Sequence, residues 1–339
     1  MSNRGESGAG RAFGAGLVAA VGLALTLIGP VRAQPAAAPP SAPPLPETEG
    51  DSVVVSELTV NAPLLGPALW KVARGGSEVV ILGGTTPLPH IQTWDQGRLE
   101  HALSQSSEVL VPPSGRVPLL AATGFALRAL AVRQPLGRSL EPTLPPALRD
   151  RFAAERQSLG LGPQAYAHWK PAVAGFLLLG DFRRKMGFSN EKPASTVVHL
   201  ADDRHVRVRR VGDYRLGVLF TSLTRLTKDQ QLACLTDELD AIDFERAHAR
   251  DAAQAWAHGD LAGARAGASG PILDRCAALL SSYGAVLERG TADFTAAIED
   301  SLKRPGKAVA VIDLRYLLRA NGVLDRLKAD GDEITVPKE

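Results

Sequence analysis

The chain has 339 residues, of which 45% are hydrophobic, and it carries 38 Lys and Arg against 36 Asp and Glu. This length and composition suit a globular protein with a sizeable core, in one large or two modest domains. The near balance of charge argues against nucleic acid as a partner. Because the chain has only two cysteines, a scaffold with several disulfides and an all-cysteine zinc site are both excluded.

The first 33 residues have the pattern of a secretory signal peptide. Arginines precede an apolar run at 13–28, and Val31 and Ala33 supply the small residues expected before a cleavage site. The run is shorter than the roughly 20 residues that span a membrane, so we expect cleavage after Ala33 and no stable membrane span afterwards. A retained membrane anchor is the alternative. The pattern predicts a periplasmic or secreted protein.

A Pro- and Ala-rich stretch at 34–51 follows, and its composition predicts a disordered linker. The remainder, 52–339, is predicted to fold as a single domain. It opens with a β-branched run at 53–60 that suits either a strand or a surface segment.

The clearest local signal is a β-hairpin. Two apolar strands at 70–73 and 79–82 flank a Gly-Gly pair, which is typical of a tight hairpin connection. A sharp turn is predicted at 83–87, where Gly-Gly is followed by Thr-Thr-Pro. A short buried strand at 109–111 ends at two prolines.

Most of the remaining chain has apolar residues at helical spacing, with proline breaks between 119 and 179. Helices are predicted at 94–107, 196–200, 216–239, 246–266, 271–287, 291–302 and 322–331. Strands are predicted at 206–211, 308–312 and 333–336. Strands separated by helices predict a mixed α/β (α+β) fold, with a central β-sheet and a large helical insertion at about 116–305.

Several short motifs occur in a familiar order along this chain. They are PALWKV at 67–72, VILG at 80–83, LP at 88–89, AWAHGDL at 255–261, LER at 287–289, VAV at 309–311 and NGVL at 321–324. Together they resemble the TraB/GumN family, which is similar to the Tiki-type metalloproteases. The resemblance implies a TraB/GumN-like domain. It also implies that members of the family hydrolyse peptide-type substrates with the help of a divalent metal.

The resemblance also implies which residues stand at the family's catalytic positions. It places Gly83 to Thr86 on the first metal motif, with Thr86 in place of its histidine, Pro112 in place of a glutamate, and Arg315 in place of the second histidine. A further acidic position falls near Arg210. Thr is a poor metal ligand, Pro has no side-chain donor, and Arg repels a cation. We therefore expect a non-catalytic family member that holds no cofactor. It would bind a peptide or another envelope component in the cleft formed by the former catalytic positions.

A divalent-metal-dependent hydrolase or peptidase with migrated ligands is the alternative. Its ligands would come from His90 and from the segment with His199, Asp203 and His205, because His and carboxylate are the groups such a metal needs. The plain interpretation is a surface-loop histidine and solvated residues at a helix–strand junction. A purely structural role is a third hypothesis.

Two arginines and an aspartate are candidate cleft-binding residues, together with His90. Asp313 and Arg315 follow a buried strand and suit an anion or carboxylate site, or equally a structural ion pair. The resemblance suggests that Arg289 reaches toward the cleft, and a plain salt bridge is its alternative.

The two cysteines, Cys234 and Cys276, lie on predicted helices behind a secretion signal. An oxidising compartment favours one disulfide between them, which closes a loop of about 40 residues and contributes roughly 3–4 kcal/mol in the chain-entropy account. Two buried free thiols are the alternative.

Overall fold

A computed structural model describes residues 66–112, 131–212 and 222–337. The predicted signal peptide (1–33), the linker (34–51) and the run at 53–60, predicted as a strand or a surface segment, lie outside the described residues. All three remain predictions.

The predicted hairpin is confirmed. Strand β1 (Leu69–Arg74) pairs antiparallel with β2 (Ser77–Gly84). Between them, Gly75 and Gly76 have φ of +55° and +87°, and two consecutive residues with positive φ are what the tightest hairpin connection requires. The turn predicted at 83–87 begins later than expected, because Gly83 and Gly84 still belong to β2.

A six-stranded mixed sheet forms the centre of the described fold. The further strands are β3 (Leu88–Pro89), β4 (Ser106–Val111), β5 (Phe188–Ser189), β6 (Arg207–Arg210), β7 (Lys307–Asp313) and β8 (Glu333–Thr335). The order is β6-β4-β7-β2-β1-β8, while β3 and β5 form a separate small ladder. Strands β6, β4, β7 and β2 run parallel, and β1 is antiparallel to both β2 and β8. The carboxyl ends of the four parallel strands therefore meet at one edge.

Helices surround this sheet and build a second layer beside it. They are α1 (Gly97–Ser104), α2 (Pro146–Ser158), α3 (Pro171–Lys185), α4 (Ala194–Asp203), α5 (Lys228–Ala257), α6 (Leu261–Ala266), α7 (Gly270–Ala278), α8 (Tyr283–Leu302), α9 (Leu314–Leu318) and α10 (Val323–Ala329). The mixed α/β class predicted from the sequence is confirmed. The sheet strand β6 falls within the range predicted for the helical insertion.

Several predicted helix limits are wrong. The sequence pattern predicts a break at 240–245, yet α5 continues through that stretch, where Ala241 and Ile242 are buried on its apolar face and the buried Glu245 pairs with Arg183 of α3. The break predicted near 288–290 falls instead between α7 and α8, since the buried Gly290 and Thr291 lie inside α8. The helix expected at 94–107 ends at Ser104, where β4 is about to begin.

The core is divided by the sheet into two faces. One face carries Trp70, Ile81 and Ala310 with α8 and α10 packed on it. The opposite face carries Leu82 and Val311 with α1, α4 and the end of α5. Side chains alternate between faces along a strand, and β2 and β7 are apolar on both faces because both are covered by helices.

A third apolar cluster holds the helical layer together. It packs Phe152 of α2 against Phe182 of α3 and Leu239 of α5. Helix α5 starts with a capping box, in which Thr227 and Gln230 each accept from the other's backbone N–H, and this satisfies donors that an open helix end leaves unpaired.

The predicted disulfide is confirmed. Cys234 on α5 and Cys276 on α7 are joined, with a sequence separation of 42, so the two-thiol alternative is set aside. Within the described ranges, no helix combines the length and apolar character needed to cross a membrane.

Candidate functional site

Two adjoining cavities open at the carboxyl edge of the parallel strands. We call them the strand-end cavity, of about 680 Å³, and the helix cavity, of about 500 Å³. Both are lined by Thr86, Asn190, Asp313 and Arg315. Crevices at the carboxyl ends of parallel strands are where open α/β sheets bind ligands.

The strand-end cavity gathers the positions that the motif resemblance singled out. Its wall includes Gly84 at the end of β2, Thr86 after it, Pro112 after β4, Arg210 at the end of β6, and Arg315 after β7. These residues are far apart in the sequence, and they meet because the four strands are parallel and adjacent.

The divalent metal that the motif resemblance implies does not fit this set of residues. Thr86 offers a hydroxyl, Pro112 offers no side-chain donor, and Arg315 places a fixed positive charge beside them. Across the described ranges, no three or more His, Cys, Asp or Glu side chains come together as a metal site would require. Because ligand type decides whether such a site forms, Thr86, Pro112 and Arg315 do not supply the ligands that a metal-dependent step would need.

The structure does not bring the migrated-ligand candidates together. His199, exposed on α4, lines the strand-end cavity, while His90, Asp203 and His205 line neither cavity. The backbone N–H of His90 donates to the carbonyl of Gly187 at 2.8 Å. His205 is exposed and follows the end of α4 with φ of +55°.

Arg315 lies between the two cavities and is held by two carboxylates. Asp313 Oδ1 accepts from the backbone N–H of Arg315 at 2.8 Å and from its Nε at 3.3 Å. Asp274 Oδ1 lies 3.6 Å from Arg315 Nη1. Desolvation lowers the pKa of Arg315, but Asp313 and Asp274 outweigh it and raise the pKa. The guanidinium is therefore both a cavity wall and part of an ion-pair network.

Arg289 lines neither cavity. Its Nε lies 3.6 Å from Asp293 Oδ2, four residues further along α8, and its side chain is 62% exposed. Its neighbours Leu287 and Gly290 line the helix cavity and the strand-end cavity respectively. This placement agrees with the salt-bridge alternative.

Close packing explains the glycine of the first motif. A Cβ on Gly83 would lie 2.5 Å from Leu314 Cδ2 and 2.6 Å from the Trp70 ring, distances that real Cβ atoms do not adopt. The Gly83 carbonyl accepts a 2.7 Å hydrogen bond from the indole N–H of Trp256. Gly83 thus sets the path of β2 where it enters the site.

Sequence reasoning missed the arginines of the helix cavity. Arg183 on α3, Arg265 on α6 and Arg319 after α9 line it together with Arg315. The spacing of Arg315 and Arg319 was a usable signal, because residues four apart in a helical turn face the same side. Arg183 and Arg265 come from distant segments, and only the tertiary fold brings them there.

Comparison with known proteins supplies one match. A family model described as the TraB/PrgY/gumN family matches residues 68–336, which runs from the start of β1 to the end of β8. This confirms the resemblance drawn from the motifs. The searches of curated proteins and of solved structures found no match.

Proposed function

We propose that this chain, which belongs to the TraB/PrgY/gumN family, is a non-catalytic member that binds a ligand at the carboxyl edge of its sheet. The ligand class we propose is a peptide or another envelope component. The ligand class follows from the peptide-type substrates that the resemblance implies, and no metal-dependent reaction is proposed.

One observation carries this proposal. Thr86, Pro112 and Arg315 stand where the resemblance expects metal-binding side chains, and they line one continuous cleft. A guanidinium in that position cannot coordinate a divalent cation, because it has hydrogen-bond donors and no lone pair to offer a metal.

The shape of the cleft supports binding. Its larger cavity is within the few hundred to about 1,000 Å³ typical of ligand sites. The wall combines apolar groups such as Val198 and Phe294 with polar groups such as Asn190 and Ser195. An apolar wall with a few polar groups both desolvates a ligand and orients it.

A location outside the cytoplasm is part of the proposal. The signal-peptide pattern at 1–33 suggests export, and the disulfide between Cys234 and Cys276 is compatible with an oxidising compartment. Export would bring the cleft into contact with envelope components.

The first test is metal binding by the purified chain. Metal content and thermal shift are measured with Mn²⁺, Co²⁺, Zn²⁺ and Mg²⁺, each with and without chelator. We expect no stoichiometric metal and no chelator-sensitive shift. About one equivalent of tightly bound metal, with peptide hydrolysis that chelator abolishes, would overturn the proposal.

The second test is occupation of the strand-end cavity by short peptides. Ser195 lines this cavity, so Ser195→Trp should fill it and weaken peptide binding. Gln157→Trp is the matched control, because Gln157 is exposed on α2 and lines neither cavity. Equal binding by both variants would place the ligand elsewhere.

A further inference from the structure

Four arginines surround the helix cavity within the described residues. They are Arg183, Arg265, Arg315 and Arg319, and they come from or directly follow α3, α6 and α9. Because this concentration of guanidinium groups arises from segments that are distant in sequence, it is a property of the folded cavity.

Two of these guanidinium groups already have anionic partners. Arg183 makes a bidentate pair with the buried Glu245, with Nε 2.8 Å from Oε2 and Nη2 bonded to Oε1. Arg315 is shared between Asp313 and Asp274. Ser269 supports the first pair by donating to Glu245 Oε1 at 2.5 Å. These two arginines are therefore electrostatically matched.

The other two have no such partner among the described residues. Arg319 Nη1 is buried and has no hydrogen-bond acceptor. Arg265, on the exposed rim of the cavity, makes no ion pair with a described carboxylate. Leaving a buried guanidinium N–H without an acceptor costs free energy, so a shift of the Arg319 side chain toward an acceptor bound in the cavity that it lines would be stabilising.

The charge balance indicates what kind of acceptor fits. Around the cavity, the described residues supply four guanidinium groups against the carboxylates of Glu245, Asp274 and Asp313. Tyr283 does not alter this balance, because burial and its hydrogen bond to Asp274 raise the pKa of its hydroxyl and keep it neutral. One positive charge remains, and a single carboxylate would neutralise it, whereas a phosphate dianion would leave a negative excess.

We propose that the helix cavity is a carboxylate-binding site, in which Arg265 and Arg319 hold an acidic group of a peptide. The rest of the peptide passes Arg315 into the strand-end cavity, since both cavities share that wall. This inference rests on the proposed function and names the chemistry of its ligand: a peptide with a free carboxylate at its C-terminus or on a terminal acidic side chain.

The test is a calorimetric titration of the full chain with defined probes. These are tetra-alanine with a free C-terminus, its C-terminal amide, an N-acetylated amide ending in glutamate, and inorganic phosphate. We expect binding by the probes that carry a carboxylate and at least about tenfold weaker binding by the tetra-alanine amide, the usual scale for losing a charge-assisted hydrogen bond. The tetra-alanine and glutamate arms distinguish a terminal carboxylate from a side-chain carboxylate.

Variants then locate the site. Arg265→Gln and Arg319→Gln should each weaken carboxylate binding about tenfold or more. Arg265 is exposed, so its variant should fold even if the Arg319 variant does not. Arg138→Gln removes the same charge from an exposed residue that lines neither cavity, and its binding should match the unmodified chain.

Three outcomes would overturn the inference: equal binding of free and amidated tetra-alanine, tighter binding of phosphate than of any carboxylate, or no binding of any carboxylate probe. If free and amidated tetra-alanine bind equally and Ser195→Trp abolishes the binding of both, the carboxylate inference fails and the proposed peptide-binding function stands. The proposed function fails separately, through stoichiometric metal and chelator-sensitive hydrolysis.

Discussion

Trp256 donates its indole N–H to the backbone carbonyl of Gly83 across 2.7 Å of buried interior. The bond joins the last turn of α5 to the end of β2, immediately before the cleft. Trp94 packs against the same indole in an edge-on contact, with ring centroids 5.4 Å apart. The helical layer is thereby fixed to the sheet beside the candidate site.

Replacing this indole tests the connection. In Trp256→Phe the Gly83 carbonyl loses its buried donor, and we expect the free energy of unfolding to fall by about 1–3 kcal/mol, with added loss from the smaller ring. Urea unfolding followed by circular dichroism measures the change. Trp94→Phe is the control, since Trp94 is half-buried, and it should cost less. Equal costs would contradict a special role for the Gly83 bond.

Glu108 should make stability sensitive to acid. Its buried carboxylate accepts from Ser301 Oγ at 2.7 Å and from Arg209 Nε at 3.1 Å, and it also bonds Arg304. Burial alone raises the pKa of Glu108, but these hydrogen bonds and the two arginine charges outweigh it and lower the pKa below 4.5. The stabilisation is therefore present at neutral pH and is lost as pH falls through the lowered value.

The corresponding variant is Glu108→Gln. We expect it to lower the free energy of unfolding by about 1–3 kcal/mol at neutral pH, with the difference from the unmodified chain shrinking in acid. Unfolding curves across acidic and neutral pH measure this. Asp300→Asn is the control, because Asp300 is 60% exposed in its pair with Lys303 and such pairs contribute little. A pH-independent difference would contradict the argument.

Glu238 should have the opposite pH dependence. It is buried on α5, its Oε2 has no hydrogen-bond partner, and a Cβ on Gly175 of α3 would lie only 1.9 Å from that oxygen. Burial and, secondarily, Asp237 raise its pKa well above 4.5. Stability is therefore lost as pH rises above the unfolded-state pKa, up to the raised folded-state value.

Glu238→Met keeps the length of the side chain and removes the charge. We expect it to raise the free energy of unfolding at neutral pH by about 1–3 kcal/mol, with a smaller gain near the unfolded-state pKa. Glu288→Met, at an exposed position of α8, is the control and should show little pH-dependent gain. A destabilised Glu238→Met chain would show that the carboxyl has a partner that supports the fold.

The disulfide gives a prediction with an internal control. Because the chain has only two cysteines and they are joined, a reductant acts on this bond alone. Reduction should lower the free energy of unfolding by about 3–4 kcal/mol, as expected for a 42-residue separation. The Cys234→Ala/Cys276→Ala chain should have similarly lowered stability and should not respond to reductant. A large response in that variant would point to another cause.

Local sequence patterns predicted the elements that short stretches of sequence determine. The β1–β2 hairpin followed from two apolar runs around Gly75-Gly76, and β7 followed from an uninterrupted apolar run. The disulfide followed from counting cysteines. Helix limits were harder. The break between α5 and α6 includes Gly259, whose φ is +81°, and within 240–245 of α5 the buried Glu245 pairs with Arg183 of the distant helix α3.

Some residues of the candidate site could likewise be predicted from the sequence, and others could not. Thr86, Pro112 and Arg315 were found because motif order preserves their place along the chain, and parallel strand pairing then brought them together. Arg265 and Arg319 could not be recognised as a pair, since their relation depends on how α6 and the segment after α9 pack. The excess positive charge of the helix cavity could therefore not be predicted from the sequence, because it depends on the tertiary packing of these segments.

The packing around Gly83 requires a glycine independently of any chemistry of the motif to which this residue belongs. Its missing side chain is required by Leu314 and Trp70, and that steric demand is the same whether or not a cation is ever held nearby. Any larger residue at this position would have to displace Leu314 or the Trp70 ring, whatever side chains line the cleft. A glycine at this place in a sequence therefore reports how β2 packs against Leu314 and Trp70, and only the residues that line the cleft carry information about what the cleft binds.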